Sequence, residues 1–448
     1  MAYNQGTNLP GESASKLGHL AVLKSEWINA LISEFETAPA SDSDASETVW
    51  NQFEIGTEKP LTHVWAVDGS FVPVTSSLKP PKEVGFVKTA LLSLDQTRLA
   101  RIDKENPHPI LLQDVLADSA VFHATVFPLK NIQTKLGSNY QAIRHIIRDS
   151  MRVDENGAFY ETLKWIAYQK WRTVPSRSPN FECPHCQVEL TMGLPVDADT
   201  DACPNCEQEV FLTDMLGFHL EMQEDSAPDS VASAYMLVME HLMLFTAIRV
   251  LWEHSDKSLL SDTLFIKDGP LTLRSQYSKI VPQLRNFLEH TKKQDRPIHI
   301  IGQEKSGVFH DHLNSIANFA EPKEQGKPLT YSVLSHEYVR REVYRAPDLK
   351  NPYGKRTNWG EKLYVKFGPG TQLVLNIPPG AYDENPKFPL GKDLIGLGRI
   401  LATLPGLISR KHEGALYPIE LANGIASLSN YPSAKIFQRF IENPGQNK

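Results

Sequence analysis

Two short apolar runs, each closed by Asp-Gly, constrain this chain more than any other feature. The first is Val64-Trp65-Ala66-Val67 followed by Asp68-Gly69, and the second is Leu264-Phe265-Ile266-Lys267 followed by Asp268-Gly269. Runs of this length read as buried strands. A glycine after the acid frees the backbone to turn, so each carboxylate is expected at the mouth of a sheet. Taken singly, an Asp-Gly pair is an ordinary turn. Two of them on strands brought side by side place two acids over one sheet edge.

The elements between and around these runs read as α/β. Apolar positions at helical spacing over 17–35 predict an amphipathic helix, and 37–48 is a small acidic linker. Val84–Leu94 and Val121–Phe127 read as strands that follow the first run in a meander. Helices are expected over 141–152, 161–171 and, briefly, 212–222. Residues 263–302 read as strand, helix, strand, which fits a parallel pair. Pro282 is expected to kink the helix of that unit. Beyond it, 308–320 reads as helix and the polar stretch 321–361 as loop. Two strands, 362–367 and 372–377, are joined by Gly-Pro-Gly, and 378–389 holds four prolines and reads as loop. Helices over 390–404, 418–428 and 432–442 close the chain.

Composition excludes little. The chain has 448 residues, enough for two or three domains, with 41% hydrophobic and 22% charged residues and a net charge of −7. There is no global basic field, although a local basic groove is what nucleic acid requires. The N-terminus lacks the basic and apolar regions of a signal peptide. All four cysteines fall between 183 and 206, which argues against a disulfide framework and for a reducing cytoplasm.

Those cysteines form C-x2-C-x16-C-x2-C: Cys183, Cys186, Cys203 and Cys206. Four thiolates at this spacing suit tetrahedral Zn²⁺ in a closed, structural site. A redox dithiol normally opens a helix of a thioredoxin-like unit, and no such unit is visible here. A zinc ribbon over 181–212, separate from any catalytic centre, is the expectation.

From Val231 to Ile248 a long apolar helix carries one charged residue, Glu240. Apolar residues all round mark it as buried. A central carboxylate costs about 2.5–3.5 kcal/mol on insertion scales, so a membrane span is rejected. A buried carboxylate needs a partner: an arginine such as Arg249 or Arg144, or a metal ion. Asp68, Glu240 and Asp268 together make an oxygen-only acidic cluster. Such a cluster selects hard ions such as Mg²⁺ or Mn²⁺ and suits phosphodiester hydrolysis.

The order Ala-Val-Asp68-Gly-Ser70, a helix carrying Glu240, Phe-Ile-Lys-Asp268-Gly-Pro-Leu271, then Ile-Ile-Gly-Gln-Glu-Lys305-Ser306 resembles the NurA nuclease family. The motifs span about 60–310 and extend weakly to 417–425. The resemblance implies a ribonuclease H-like mixed sheet flanked by helices, into which the zinc ribbon is inserted. The nuclease core then comprises 49–180 and 213–448, behind an N-terminal segment 1–48. It implies a Mn²⁺- or Mg²⁺-dependent deoxyribonuclease, exo- or endonucleolytic, that acts with a hexameric HerA-type ATPase in DNA end processing or antiphage defence, as a dimer docked on the hexamer. By motif, Asp68, Glu240 and Asp268 match the catalytic acids, and Lys305 matches a lysine placed to neutralise a phosphate. The family usually closes with Tyr-Pro and a His on the next helix. Here Tyr417-Pro418 is present without that His; Asn423 lies near its place and His412 precedes the tyrosine.

Two other readings stand beside this one. A NurA-like adaptor without activity would bind the ATPase and DNA. A zinc-ribbon accessory protein of transcription or replication explains the cysteines but leaves Glu240 without a role. His310-Asp311-His312 is set aside as a ligand pair, because residues two apart on a helix do not share a face. The basic stretch with Arg340, Arg341, Arg345, Lys350, Lys355 and Arg356, interleaved with Tyr338, Tyr344 and Tyr353, reads either as a solvated loop or as a phosphate track.

Overall fold

A computed structural model describes residues 24–34, 49–95, 120–154, 157–222, 229–255, 257–317, 329–345, 352–367, 371–409, 411, 414–428 and 433–442. The chain divides into two compact units, Met1–Glu47 and Thr48–Lys448. In the first, helix α1 (Glu26–Ser33) begins at Ser25, whose hydroxyl accepts from the Ile28 amide at 3.4 Å, the usual N-cap contact. The remainder of the helix expected over 17–35, and the acidic linker, lie outside the described residues.

The second unit is built on a nine-stranded mixed sheet. Its strands are β1 (Asn51–Gln52), β2 (His63–Thr75), β3 (Glu83–Asp95), β4 (Ala120–Lys130), β9 (Thr263–Asp268), β10 (His299–Glu304), β11 (Thr330–Val333), β12 (Glu361–Phe367) and β13 (Thr371–Ile377). They lie in the order β1-β11-β12-β13-β10-β9-β2-β3-β4. Strands β2, β3 and β4 form the expected antiparallel meander, while β2, β9 and β10 run parallel. Four short ribbon strands, β5 (Phe181–Glu182), β6 (Glu189–Leu190), β7 (Thr200–Ala202) and β8 (Glu209–Phe211), pair as two separate hairpins.

Helices cover both faces. On one face, α2 (Asn139–Ser150), α3 (Ala158–Ala167), α4 (Asp229–Glu253) and α5 (Val281–Lys293) share a core with Val67, Val87, Leu91 and Phe265. Helix α6 (Val308–Ala317) contributes Phe309 and Leu313 to a smaller cluster with Tyr364 and Val374. On the opposite face, α7 (Leu397–Thr403) and α8 (Tyr417–Ala426) pack on Val64, Ala66, Leu264 and Ile266. Helix α9 (Ser433–Glu442) packs against β2 and stacks Phe437 on Phe86 of β3. The alternation along β2 and β9 divides neighbouring residues between the two cores, as a strand buried on both faces requires.

Helix α4 is long and apolar enough to cross a membrane by length and composition, yet 83% of its most apolar window is buried within the fold. It packs on β2, β3 and α3, which explains an apolar surface with no polar side.

Several sequence expectations are corrected. The first Asp-Gly does not end its strand: β2 runs on through Asp68-Gly69 to Thr75, paired with β3 residue for residue. Only the β9 partner stops there, so the expected sheet mouth is the end of β9. Pro282 does not kink a helix; it sits in the first turn of α5, where a missing N–H costs nothing. The 212–222 segment forms 3₁₀ turns (Leu212–Leu216 and Phe218–Glu221) rather than a single helix. The polar stretch 321–361 is not all loop, since Thr330–Val333 is the strand joining β1 to β12. Its pairing partners are remote in sequence and left no local pattern.

Candidate active site and zinc ribbon

The ribbon is built from two matching knuckles. The Cys183 and Cys203 amides donate to the Val188 and Gln208 carbonyls, and the Gln187 and Glu207 amides return to the Cys183 and Cys203 carbonyls. Gln187 and Glu207 take positive φ (61° and 57°), which closes each knuckle. The four sulfurs lie within 4.8 Å of one another, with Cys183–Cys206 and Cys186–Cys203 contacts of 3.8 Å. A tetrahedron of ~2.3 Å Zn–S bonds has edges of about 3.8 Å, so the geometry fits zinc. All four cysteines are free thiols. The ribbon is part of the core: Phe181, Leu190, Leu194 and Val210 are buried with α2 and α3. Arg144 of α2 forms a buried pair with Asp214 at 2.7 Å just beyond it.

The acids meet around the end of β9. Parallel pairing sets Val67 opposite Lys267, which brings Asp68 beside Asp268. By strand alternation both carboxylates point to the α8 face. There the Asn423 side chain of α8 lies beside Asp68 and holds its carboxyl down. Lys305, just after β10, donates to Asp268 Oδ2 at 2.8 Å. Asp68 Oδ1 accepts from the Gly69 amide at 2.7 Å, whereas its buried Oδ2 has no hydrogen-bond partner. Asp68 is only 4% exposed. Burial, then the Asp268 charge, push its carboxyl up to about 6, against the pull of Asn423, Gly69 and Lys305.

Glu240 comes from the other face. A Cβ at Gly69 would lie 2.7 Å from Glu240 Oε1 and 2.7 Å from Met236 Cγ, so Gly69 is the gap through which α4 approaches the strand. This, rather than a turn, is the use of the first glycine. The second glycine is a true turn: Gly269 has φ 81° and its amide donates to the Gln303 carbonyl.

The partner of Glu240 is neither Arg249 nor Arg144. Arg249 pairs with Glu253, and Glu240 Oε2 pairs with Lys267 Nζ at 2.6 Å, both side chains buried. Lys267 also donates to the Asp268 carbonyl at 2.6 Å. Burial pushes the Glu240 carboxyl up, Lys267 pulls it back, and Asp68 and Asp268 raise it again. Asp68, Asp268, Glu240 and Lys305 are thus gathered around one point of the sheet, with the first two on one side and Glu240 on the other. Among the described residues, only the cysteines bring three or more metal-ligating atoms within 4.8 Å of one another.

Two supporting residues escaped the sequence reading. Lys267 stands out in retrospect as a lysine inside an apolar strand run. Gln303, fully buried beside Asp268, donates to the Gly414 carbonyl at 2.6 Å and accepts from the Leu416 amide at 3.1 Å. It clamps the lead-in to α8, and hence Asn423, to the sheet; no sequence pattern marked it. His412 lies outside the described residues. His310 and His312 contact Asn314 and Tyr364. In the basic stretch, Arg341 pairs with Glu337 and Glu342, and Lys355 with Glu384.

A mixed sheet with carboxylates converging at the end of a parallel strand pair, beside a four-cysteine ribbon, defines an α/β protein with an acidic candidate active site. Solved structures similar to the chain include those of NurA nucleases. The NurA nuclease from Sulfolobus solfataricus is 10% identical, with 97% of each chain covered and a TM-score of 0.35. A NurA bound to dAMP and manganese and a NurA with manganese are each 10% identical, at TM-scores of 0.29 and 0.30, over 96% of this chain and 97% and 98% of theirs. At such TM-scores the roles of residues rest on this chain's own side chains. No protein-family model and no curated protein matches the chain.

Proposed function

We propose that this protein is a metal-dependent deoxyribonuclease of NurA type, with Asp68, Asp268 and Glu240 as its acidic centre. The observation that carries the reading is Asp68: a buried carboxylate oxygen without a partner, beside a second carboxylate. Like charges packed this way are stabilised by a cation, and an oxygen-only donor set fits Mg²⁺ or Mn²⁺. Asp68 and Asp268 would hold the ion, with Glu240 behind them on α4, paired with Lys267. When bound, such an ion lowers the pKa of an attacking water and stabilises the leaving oxygen of a phosphodiester. The chain's own residues do the rest. Asn423 would favour the ionised form of Asp68. The Lys305 ammonium, on a side chain 39% exposed, would neutralise a DNA phosphate. The order of the first five core strands, three antiparallel followed by two parallel, supports a ribonuclease H-like core. The ribbon would hold zinc structurally, and its free thiols fit a cytoplasmic setting. A HerA-type ATPase partner, a dimer, and roles in DNA end processing or antiphage defence rest on the sequence resemblance and extend the same proposal.

A non-catalytic adaptor is favoured by one observation: lysines already neutralise Glu240 and Asp268. Cleavage assays separate the two. Linear and circular DNA are incubated with the protein, with and without Mn²⁺ and with and without the ATPase, in chelator-free buffer. Metal-dependent cleavage that is lost in Asp68→Ala supports the nuclease; no cleavage in any condition, or cleavage retained in that variant, rejects it.

A further inference from the structure

We propose that Lys267 is a built-in cation of the acidic centre, that Glu240 serves this lysine rather than an exchangeable ion, and that the site takes one divalent ion, on Asp68 and Asp268. This rests on the nuclease reading and adds the number of ions and their ligands. Strand alternation separates the groups. Asp68 and Asp268 face α8, whereas Lys267 and the Gly69 gap face α4. The Lys267 ammonium is 1% exposed, held between Glu240 Oε2 at 2.6 Å and the Asp268 carbonyl at 2.6 Å. Two-metal phosphodiester centres set their ions about 3.5–4 Å apart, each bridged by shared carboxylates. The Glu240 carboxylate that would complete a second ion's shell is already engaged. Admitting that ion requires breaking the contact between Glu240 and a buried lysine. Lys305 differs: its side chain is 39% exposed and can swing into water when an ion or a phosphate arrives at Asp268.

The test counts ions. Full-length, zinc-loaded protein is titrated with Mn²⁺, and free Mn²⁺ is followed by electron paramagnetic resonance, with calorimetry for affinity. One Mn²⁺ per chain, absent in Asp68→Asn, is the expected result. Two per chain in the wild type overturn the inference. None in the wild type overturns the nuclease reading itself, which keeps the two failures apart. The paired variant Lys267→Met/Glu240→Gln removes a net-neutral pair and leaves no isolated charge. It is expected to bind one Mn²⁺ with affinity within about threefold of wild type, since a net-neutral pair adds little field at the ion. A loss of tenfold or more means that Glu240 is itself a ligand and rejects the proposal. Should that variant fail to fold, the wild-type count decides alone.

Discussion

Replacing Asp68 by asparagine should make the metal-free protein more stable while abolishing cleavage. The Asp68 carboxyl rises from 3.8 to about 6 on folding. At about 1.4 kcal/mol per pH unit, that is a penalty of about 3 kcal/mol on the ionised native state. The sign follows from linkage. Well below pH 3.8 the carboxyl is protonated in both states and costs nothing. As pH rises from about 4 to 6 the unfolded chain loses its proton first and stability falls; above about 6 the full penalty is in place. Asparagine keeps the shape and the acceptor for the Gly69 amide but leaves a buried amide N–H short of a partner, which returns about 1–2 kcal/mol. The net gain is about 1–2 kcal/mol at pH 7.5. Denaturant midpoints of wild type and Asp68→Asn at pH 7.5 and pH 4 measure it: the gain should appear at the first and turn into a loss of about 1 kcal/mol at the second, where the amide cost stands almost alone. Mn²⁺ should reverse the order, because an ion bound only to the native state adds about 2.7 kcal/mol at a hundredfold excess over its Kd. Chelators are avoided, since they strip the ribbon. A variant no more stable than wild type at pH 7.5, or equally stabilised by Mn²⁺, would refute the view of Asp68 as an uncompensated charge awaiting a cation.

Other perturbations have equally definite outcomes. Gly69→Ala drives a methyl to 2.7 Å from Glu240 and Met236, and should cost about 1–3 kcal/mol in denaturant melts together with most of the cleavage rate. Lys267→Met alone strands the Glu240 carboxylate and should destabilise the fold by about 3–5 kcal/mol, with most of that recovered when Glu240→Gln is added; equal stability of single and double variants would contradict the pairing. Gln303→Leu removes both hydrogen bonds that hold the lead-in to α8 and should weaken Mn²⁺ binding through Asn423 more than it lowers the melting temperature. Full-length protein is expected to take up one zinc per chain and Cys203→Ser to lose it, with the packing around α2 and α3 destabilised, read as loss of cooperative unfolding and not as loss of a metal-activated rate alone.

What the sequence determined by itself was whatever depends on local spacing. Paired C-x2-C turns predict a tetrahedral thiolate site because the ligands and the turns are contiguous, and the sulfurs lie at the distances zinc requires. A 25-residue helix apolar on every side can only be buried, and α4 is. The runs ending at Asp68 and Asp268 announce strands, and they pair in parallel. What the sequence left open was which charge meets which. Glu240 announced its need for a partner, but the partner lies 27 residues on in another strand; the nearby arginines were taken up by Asp214 and Glu253. The part played by Gly69 was hidden for the same reason, since a close approach between helix and strand leaves no mark in the strand's own pattern. Only the sheet register, one residue either way, decides that Asp68 and Asp268 share a face while Lys267 and Glu240 meet on the other. Register is set by the packing of both cores at once, and no local run of residues specifies it.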